Sequence, residues 1–129
     1  MKKTILLVED DLATVDVYTI ALKKAGFEVE VADLGNEAIE KIKEIAEKKA
    51  KKPDLVLLDL LLPDINGIEV LKVIREQKET KDIPVFVLTN YSNDELKKKS
   101  QELEAEEYIT KADHSSKEIV GIVRKRLKN

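Results

Sequence analysis

Five short apolar runs recur along the chain, and each is followed by a stretch with apolar residues at helical spacing. The runs occupy residues 4–8, 27–31, 55–58, 83–88 and 107–109. Runs of this length are typical of strands, and those without polar residues indicate strands covered on both faces. Strands that alternate with helices form a parallel sheet with right-handed crossovers and helices on both faces. The sequence therefore predicts an α/β fold with five βα units, and the alternating 27–31 run is expected near an edge.

The helical stretches have recognisable starts and ends. The first carries apolar residues at helical spacing and ends at Gly26, because glycine favours the left-handed conformation found after helix C-termini. The second is predicted to run from Gly35 or Asn36 through the lysine-rich 48–52 to Pro53, and the third from Asn66 to Lys78. The fourth is predicted from Ser92 or Asn93 to Leu103, and the fifth from Ser115 or Ser116 to Lys128. The helix over 93–103 has the weakest apolar stripe, since Leu96 and Leu103 are its apolar residues.

Composition narrows the class of protein. The 129 residues fit one domain, 1–129, and 43% of them are hydrophobic, which is enough for a core. A net charge of −3 argues against a general nucleic-acid binder. The absence of cysteine excludes a disulfide framework and a thiolate metal site. No early apolar stretch has signal-peptide form or the length of a membrane span, so a soluble, cytoplasmic protein is predicted.

Asp59 directly follows the third apolar run, and a loop rich in turn residues comes next. Pro63 and Asp64, then Asn66 and Gly67, interrupt the chain before the next helical stretch. Asp59 is therefore predicted at the carboxyl end of a central parallel strand, which is the edge where open α/β sheets bind ligands. A carboxylate in this position can hold a metal ion or attack an electrophile.

This stretch resembles the phosphoacceptor strand and loop of two-component response-regulator receiver domains. Acids after the first run, Asp59 after the third, Thr89 after the fourth and Tyr108 to Lys111 after the fifth also match motif positions of that family. The resemblance covers essentially the whole chain and implies a flavodoxin-like, doubly wound parallel sheet in the order 2-1-3-4-5, as in chemotaxis regulators. Because no output domain follows Asn129, it also implies a stand-alone switch that catalyses only its own phosphorylation and dephosphorylation.

Three acids, Glu9, Asp10 and Asp11, follow the first apolar run. The implied strand order makes the first and third strands neighbours, so Glu9 and Asp10 are expected to converge with Asp59 and to repel it. A hard divalent cation with oxygen ligands relieves such repulsion. The resemblance implies that these three carboxylates and the Leu61 backbone carbonyl hold Mg²⁺, or Mn²⁺. It also places Asp11 at the start of the first helix, as its cap.

The resemblance further implies what each remaining residue does. Asp59 accepts the phosphoryl group, with Lys111 as its positive partner and the Thr89 hydroxyl as a hydrogen-bond donor. Thr89 then moves towards the phosphate, and Tyr108 turns into the space that Thr89 leaves. The phosphoryl donor is expected to be a histidine kinase or a phosphotransfer protein. The changed surface, within 93–128, is expected to bind a downstream protein, and neither a membrane nor nucleic acid is expected as a partner.

Three residues depart from the family pattern. Ala112 stands where many receivers have a proline with a cis peptide bond, and an alanine strongly prefers trans. Asn90 is larger than the residue commonly found after the threonine and is expected to narrow access to Asp59. Leu61 occupies a position that tunes the phosphate lifetime in the family.

Other interpretations remain open at this point. Taken singly, Asp59, Thr89 and Lys111 are each typical of a cap, turn or surface residue, so the functional interpretation depends on the whole set. A phosphatase of the haloacid dehalogenase type also uses an aspartate after an apolar strand, but it needs a second aspartate where this chain has Leu61. A flavodoxin-like cofactor binder lacks support because no phosphate-binding loop follows the first run. A receiver-fold scaffold without a signalling role is the third alternative.

Overall fold

The computed structural model describes residues 2–90 and 93–128, and it contains a five-stranded parallel sheet between two layers of helices. The strands are β1 (Thr4–Val8), β2 (Glu28–Ala32), β3 (Leu55–Leu58), β4 (Val85–Thr89) and β5 (Glu107–Thr110). The helices are α1 (Leu12–Lys24), α2 (Gly35–Ala46), α3 (Gly67–Glu76), α4 (Asp94–Glu102) and α5 (Ser116–Leu127), with a 3₁₀ turn at Lys111–Asp113. The order β2-β1-β3-β4-β5 confirms the predicted topology. Among the described residues, no helix is long and apolar enough to cross a membrane.

The sheet separates two hydrophobic cores, and β3 contributes alternate residues to each. Leu55 and Leu57 face the core shared with α1 and α5, whereas Val56 and Leu58 face the core shared with α2 and α3. All four side chains are at most 1% exposed. Chemistry at β3 is therefore confined to the ends of the strand. β2 alternates between exposed and half-buried residues, as expected of an edge strand.

Polar side chains fix the starts of four helices. Asp11 caps α1 as predicted, by accepting a hydrogen bond from a backbone amide of the first turn at 3.0 Å. Asn66, Asn93 and Ser115 cap α3, α4 and α5 in the same way, and α5 has a full capping box. The structure therefore selects Asn93 and Ser115 from the predicted alternatives. Ser92, the other predicted cap of α4, lies outside the described residues.

The C-terminal end of α2 differs from the prediction. The helix ends at Ala46, so the expectation that it continues through the lysine-rich 48–52 to Pro53 is wrong. Lys48 has a φ of 62°, and two backbone amides after Ala46 bond back to carbonyls of the last turn at 3.0 and 2.8 Å. This hydrogen-bond pattern closes a helix after a residue with positive φ, usually a glycine. A lysine in that position gives no such signal in the sequence.

Smaller differences in bounds have local causes. β2 begins at Glu28 instead of residue 27, and α3 ends at Glu76 instead of residue 78. β4 begins at Val85 instead of residue 83, because Pro84 has no amide hydrogen to give to the ladder. The carboxyl ends of the strands nevertheless lie within one residue of their predicted positions.

Candidate functional site

Three carboxylates meet where β1 and β3 end side by side. Val8 of β1 pairs with Leu58 of β3, so the residues that follow, Glu9 and Asp59, are also neighbours. Carboxylate oxygens of Glu9, Asp10 and Asp59 all lie within 4.8 Å of one another. Glu9 and Asp59 are only 2% and 4% exposed, whereas Asp10 is exposed to solvent. The structure therefore brings together the three acids that were expected to converge.

Lys111 places its ammonium group between the two buried acids. Its Nζ donates to Glu9 Oε1 in close contact and lies 3.4 Å from Asp59 Oδ2. The lysine side chain is only 10% exposed, so its charge is also largely removed from water. Lys111 is the expected partner of Asp59, and the structure gives it a second and closer partner in Glu9.

Burial and charge act in opposite directions at this site. Burial raises the pKa of Glu9, Lys111 opposes that rise, and the charge of Asp59 adds to it, so the pKa lies above its usual value. Burial alone would lower the pKa of Lys111, but the two carboxylates outweigh burial and raise it. Three carboxylates thus face one ammonium group. The site retains negative charge that a bound cation can neutralise.

The loop after β3 folds back closely over Asp59. The Leu61 amide donates to Asp59 Oδ1 at 3.0 Å, and Leu61 forms an isolated antiparallel bridge with Asn66. A Cβ atom on Gly67 would lie 2.5 Å from the Asp59 carbonyl oxygen and 2.5 Å from Leu60 Cα. Glycine at 67 therefore allows α3 to begin directly against the end of β3. The backbone of Leu61 is held beside the Asp59 carboxylate as a result.

Asp64 has a structural function that the sequence pattern does not predict. It was interpreted as a turn residue, but its carboxylate accepts hydrogen bonds from the amides of Gly35 at 2.9 Å and Asn36 at 2.8 Å. The Asn36 amide contributes most to holding the pKa of Asp64 below its usual range. Leu34, at the N-cap position of α2, supplies no capping side chain. A helix start without a polar cap was the available signal, but it did not identify Asp64.

Thr89 and Tyr108 lie on neighbouring strands and point to the same face of the sheet. Thr89, which ends β4, is 1% exposed and pairs with Thr110, while Tyr108 pairs with Val87 two residues earlier. Tyr108 packs against the core shared with α2 and α3. Its buried hydroxyl forms no hydrogen bond of normal geometry with the described residues; burial raises its pKa, and the nearby Asn93 amide opposes that rise. Tyr108 therefore lies on the strand next to Thr89, and it is not part of the acidic cluster.

A cavity of about 360 Å³ opens beside Lys111, between α1 and the turn that follows β5. Tyr18, Asn90 and Ala112 contribute to its wall. Asn90, which was expected to narrow access to Asp59, is exposed here. The peptide bond before Ala112 is trans, as predicted, and the described residues contain no cis peptide bond.

Comparison with known proteins identifies this arrangement. The family described as the response regulator receiver domain matches the chain over residues 5–124. The chain belongs to the response regulator receiver domain family. The matched range of this receiver domain contains every residue of the site, from Glu9 to Lys111. Response regulators act in two-component signalling, which is the functional class that the resemblance implied.

Curated relatives of the receiver domain are longer response regulators. The chain is 36% identical over 128 residues to the DNA-binding response regulator MtrA of Mycobacterium tuberculosis, covering 99% of this chain and 52% of that protein. It is 37% identical over 118 residues to the cell cycle transcriptional regulator CtrA of Caulobacter vibrioides, covering 92% of this chain and 48% of that protein. The chain thus spans about half the length of these relatives.

Solved structures of receiver domains have the same fold. The phosphorylated cyanobacterial phytochrome response regulator RcpA superposes with a TM-score of 0.83 at 35% identity, covering 98% of this chain and 91% of that one. The Mn²⁺-bound form of response regulator Rcp1 gives 0.84 at 33% identity, with coverages of 95% and 92%. A CheY-like receiver domain protein from Methanospirillum hungatei gives 0.87 at 27% identity, with coverages of 99% and 95%.

Proposed function

We propose that this receiver domain is a phosphorylation switch in which Asp59 accepts a phosphoryl group. The observation that carries the proposal is the position of the Asp59 carboxylate. It lies at the carboxyl end of the central strand, with Lys111 Nζ 3.4 Å away and two further acids within metal-binding range. A carboxylate with two other acids and one ammonium group around it is suited to phosphoryl transfer, where catalysis depends mainly on positioning and on charge stabilisation.

The chain holds the acceptor carboxylate and its charge partner in place for the transfer. A carboxylate oxygen of Asp59 attacks the phosphorus, the bond from phosphorus to the donor breaks, and the donor leaves with the electron pair. The Leu61 amide fixes Oδ1 of Asp59 during this step. Lys111, close to Oδ2, is positioned to pair with the oxygens of the incoming phosphoryl group. The Thr89 hydroxyl, at the end of the next strand, supplies a further donor.

A divalent cation fits the acids of this site. Three carboxylate oxygens within 4.8 Å of one another, two of them from buried residues, form a hard-oxygen donor set of the kind Mg²⁺ and Mn²⁺ prefer. Glu9, Asp10 and Asp59 would hold the ion, together with the carbonyl of Leu61. When bound, it neutralises carboxylate charge and stabilises negative charge on a phosphoryl group. The similar response regulator Rcp1 is known in a Mn²⁺-bound form, which is consistent with this assignment.

The switch would be transmitted through Thr89 and Tyr108. A phosphoryl group on Asp59 offers acceptor oxygens to the Thr89 hydroxyl, and this contact exists only in the phosphorylated state. A ligand shifts an equilibrium only through such a difference between two states. Tyr108 lies on the neighbouring strand and on the same face as Thr89, so movement of Thr89 changes its packing. The surface that changes comprises α4, β5 and α5, within residues 93–128.

The partners follow from the chemistry of the site and from the relatives. The donor is proposed to be the phosphohistidine of a histidine kinase or of a phosphotransfer protein. The output is proposed to be a downstream protein that reads the 93–128 surface. MtrA is named as DNA-binding, but this chain covers 52% of its length, so its DNA-binding activity is not carried over to these residues.

Intact mass spectrometry tests the central proposal. Incubation with acetyl phosphate and Mg²⁺ is expected to add one phosphoryl group to the wild-type chain and none to Asp59→Asn. Asp64→Asn is the matched control. It removes a carboxylate from the loop that follows Asp59, but this carboxylate is not paired with Lys111, so the variant should be labelled like the wild type. Full labelling of Asp59→Asn, with both variants folded by circular dichroism, would remove Asp59 from the mechanism.

A further inference from the structure

Arg75, at the end of α3, connects three parts of the fold through one side chain. Its guanidinium donates to four backbone carbonyls: Leu103 at 2.9 Å, Glu104 at 3.0 Å, Lys81 at 3.0 Å and Ile83 at 2.8 Å. Leu103 and Glu104 close α4, whereas Lys81 and Ile83 lead into β4. A guanidinium has five N–H donors in a rigid fork, so it can hold several carbonyls at fixed relative positions.

Arg75 holds the C-terminal end of α4 together with Leu103 and Ala105, which pack against the core shared with α2 and α3. Within α4, whose nine residues are all described, Ser100 alone is buried. The helix closes at Glu104, a non-glycine residue with a φ of 62°, a conformation that L-residues adopt at an energetic cost. Two of the carbonyls that receive Arg75 belong to this closing turn, where a cation is also favoured by the helix dipole. The C-terminal end of α4 is thus tied to α3 and β4.

The N-terminal end of α4 is held differently. Asn93 caps it by accepting a hydrogen bond from the Leu96 amide at 3.0 Å, a contact internal to the helix and its cap. This end begins near the carboxyl edge of the sheet, where the site also lies, since Asn93 follows the end of β4 by four positions. Movement at Thr89 therefore reaches α4 first at its N-terminal end, whereas the other end is fixed.

We propose that Arg75 is a positioning residue for the switch: it fixes the C-terminal end of α4 on α3 and β4, so that phosphorylation at Asp59 rotates α4 about that end. The inference rests on the proposed function and deepens it, because it states how the change at Asp59 is directed to one part of the 93–128 surface. Nothing in this assignment requires Arg75 to touch the phosphoryl group.

Residue-resolved amide exchange by NMR tests this inference on the full chain with beryllofluoride and Mg²⁺ as the phosphoryl mimic. In the wild type, exchange at residues 94–98 should change by about tenfold or more while residues 101–105 stay within about twofold. In Arg75→Met, the change should extend over 101–105. Arg75→Lys keeps the charge but loses the fork, so its pattern should lie between the two.

Two controls separate this inference from the proposed function. Arg126→Met removes an arginine of α5 that pairs with Glu106 on the surface, and it should keep the wild-type pattern. A ¹⁹F signal from bound fluoride reports occupancy of Asp59, and failure of the mimic to bind there would overturn both proposals. If the mimic binds and both ends of α4 respond equally in the wild type, the positioning assignment to Arg75 is wrong while Asp59 remains the acceptor. If Arg75→Met does not fold, Arg75→Lys carries the test, and a wild-type pattern in that variant would overturn the assignment.

Discussion

Glu9 links the stability of the protein to pH because its carboxyl group is buried, beside Lys111. The pKa of Glu9 is raised by burial above its ordinary value of 4.5, so the folded state binds the Glu9 proton more tightly than the unfolded state does. The stabilising contribution of that proton is complete below the unfolded pKa and is lost as the pH rises through the folded pKa. Lys111 limits this loss, since its ammonium lowers the pKa of Glu9.

Lys111→Met should therefore steepen the pH dependence of stability in the metal-free protein. Without the ammonium, the folded pKa of Glu9 rises further, and the loss of stability extends to higher pH. As the pH rises above the ordinary pKa of 4.5, the free energy of unfolding should fall more than in the wild type, by about 1.4 kcal/mol for each pH unit by which the pKa rises. Urea unfolding with a chelator present measures this difference.

A double variant identifies the titrating group. Adding Glu9→Gln to Lys111→Met should remove the extra slope, because the buried carboxyl group is then absent. Equal slopes in Lys111→Met and the wild type would show that the Glu9–Lys111 contact does not control the titration.

Two glycines should respond in opposite directions to the same substitution. In Gly67→Ala the new Cβ would lie 2.5 Å from backbone atoms of Asp59 and Leu60, which cannot move without displacing the site. Its free energy of unfolding should fall by about 1–3 kcal/mol, as in other overpacked positions. Gly121→Ala is the matched control, because nothing lies within 4 Å of its Cβ and it is inside α5, so stability should rise by up to about 1 kcal/mol. Chemical unfolding measures both changes, and equal effects of the two substitutions would contradict the prediction.

At the scale of elements, β4 and β5 carry the proposed signal from the site to α4. Thr89→Ala should leave Asp59 able to accept phosphate but should abolish the change at Tyr108, since the hydroxyl that distinguishes the two states is missing. Thr89→Ser keeps that hydroxyl and should restore the response. NMR of the Tyr108 ring and of neighbouring amides, with and without beryllofluoride and Mg²⁺, measures it. The same shifts in Thr89→Ala as in the wild type would place the coupling outside Thr89.

The elements that were predicted well are those whose signals are local. β1 and β3 have the predicted bounds because their apolar runs are uninterrupted. The Asp11 cap of α1 was predicted from the register of the resemblance, and the structure confirms it. The convergence of Glu9, Asp10 and Asp59 needed the strand order in addition, which came from the resemblance.

The features that were missed depend on contacts between distant segments. Arg75 reaches carbonyls 28 and 29 residues away, and Asp64 caps a helix that begins 29 residues earlier. Lys48 and Glu104 close helices with positive φ although neither is a glycine, the residue on which sequence reasoning relies. Sequence patterns do not identify the distant partner in such contacts. They appear only when the fold has placed the segments together.

On the scale of the whole molecule, the fold gathers like charges at one edge of the sheet. The paired ends of β1 and β3 force three carboxylates together, and a single ammonium from the end of β5 partly compensates them. Such an arrangement costs stability when no cation is bound, because the carboxylates repel one another. The stability of the entire domain should therefore respond to a cation that contacts only this edge.

Asp10→Asn tests that link between site and fold. Removing one acid relieves repulsion in the metal-free protein, so its thermal midpoint should rise, by about 3 °C if the gain is about 1 kcal/mol. Mg²⁺ should stabilise the wild type by binding to the folded state alone, and this increase should be largely lost in Asp10→Asn because a ligand is missing. Asp16→Asn, an exposed aspartate of α1 outside the cluster, should leave both midpoints close to those of the wild type. An undiminished Mg²⁺-induced increase in Asp10→Asn would mean that the cation binds elsewhere, and the three-carboxylate site would then have no part in metal binding.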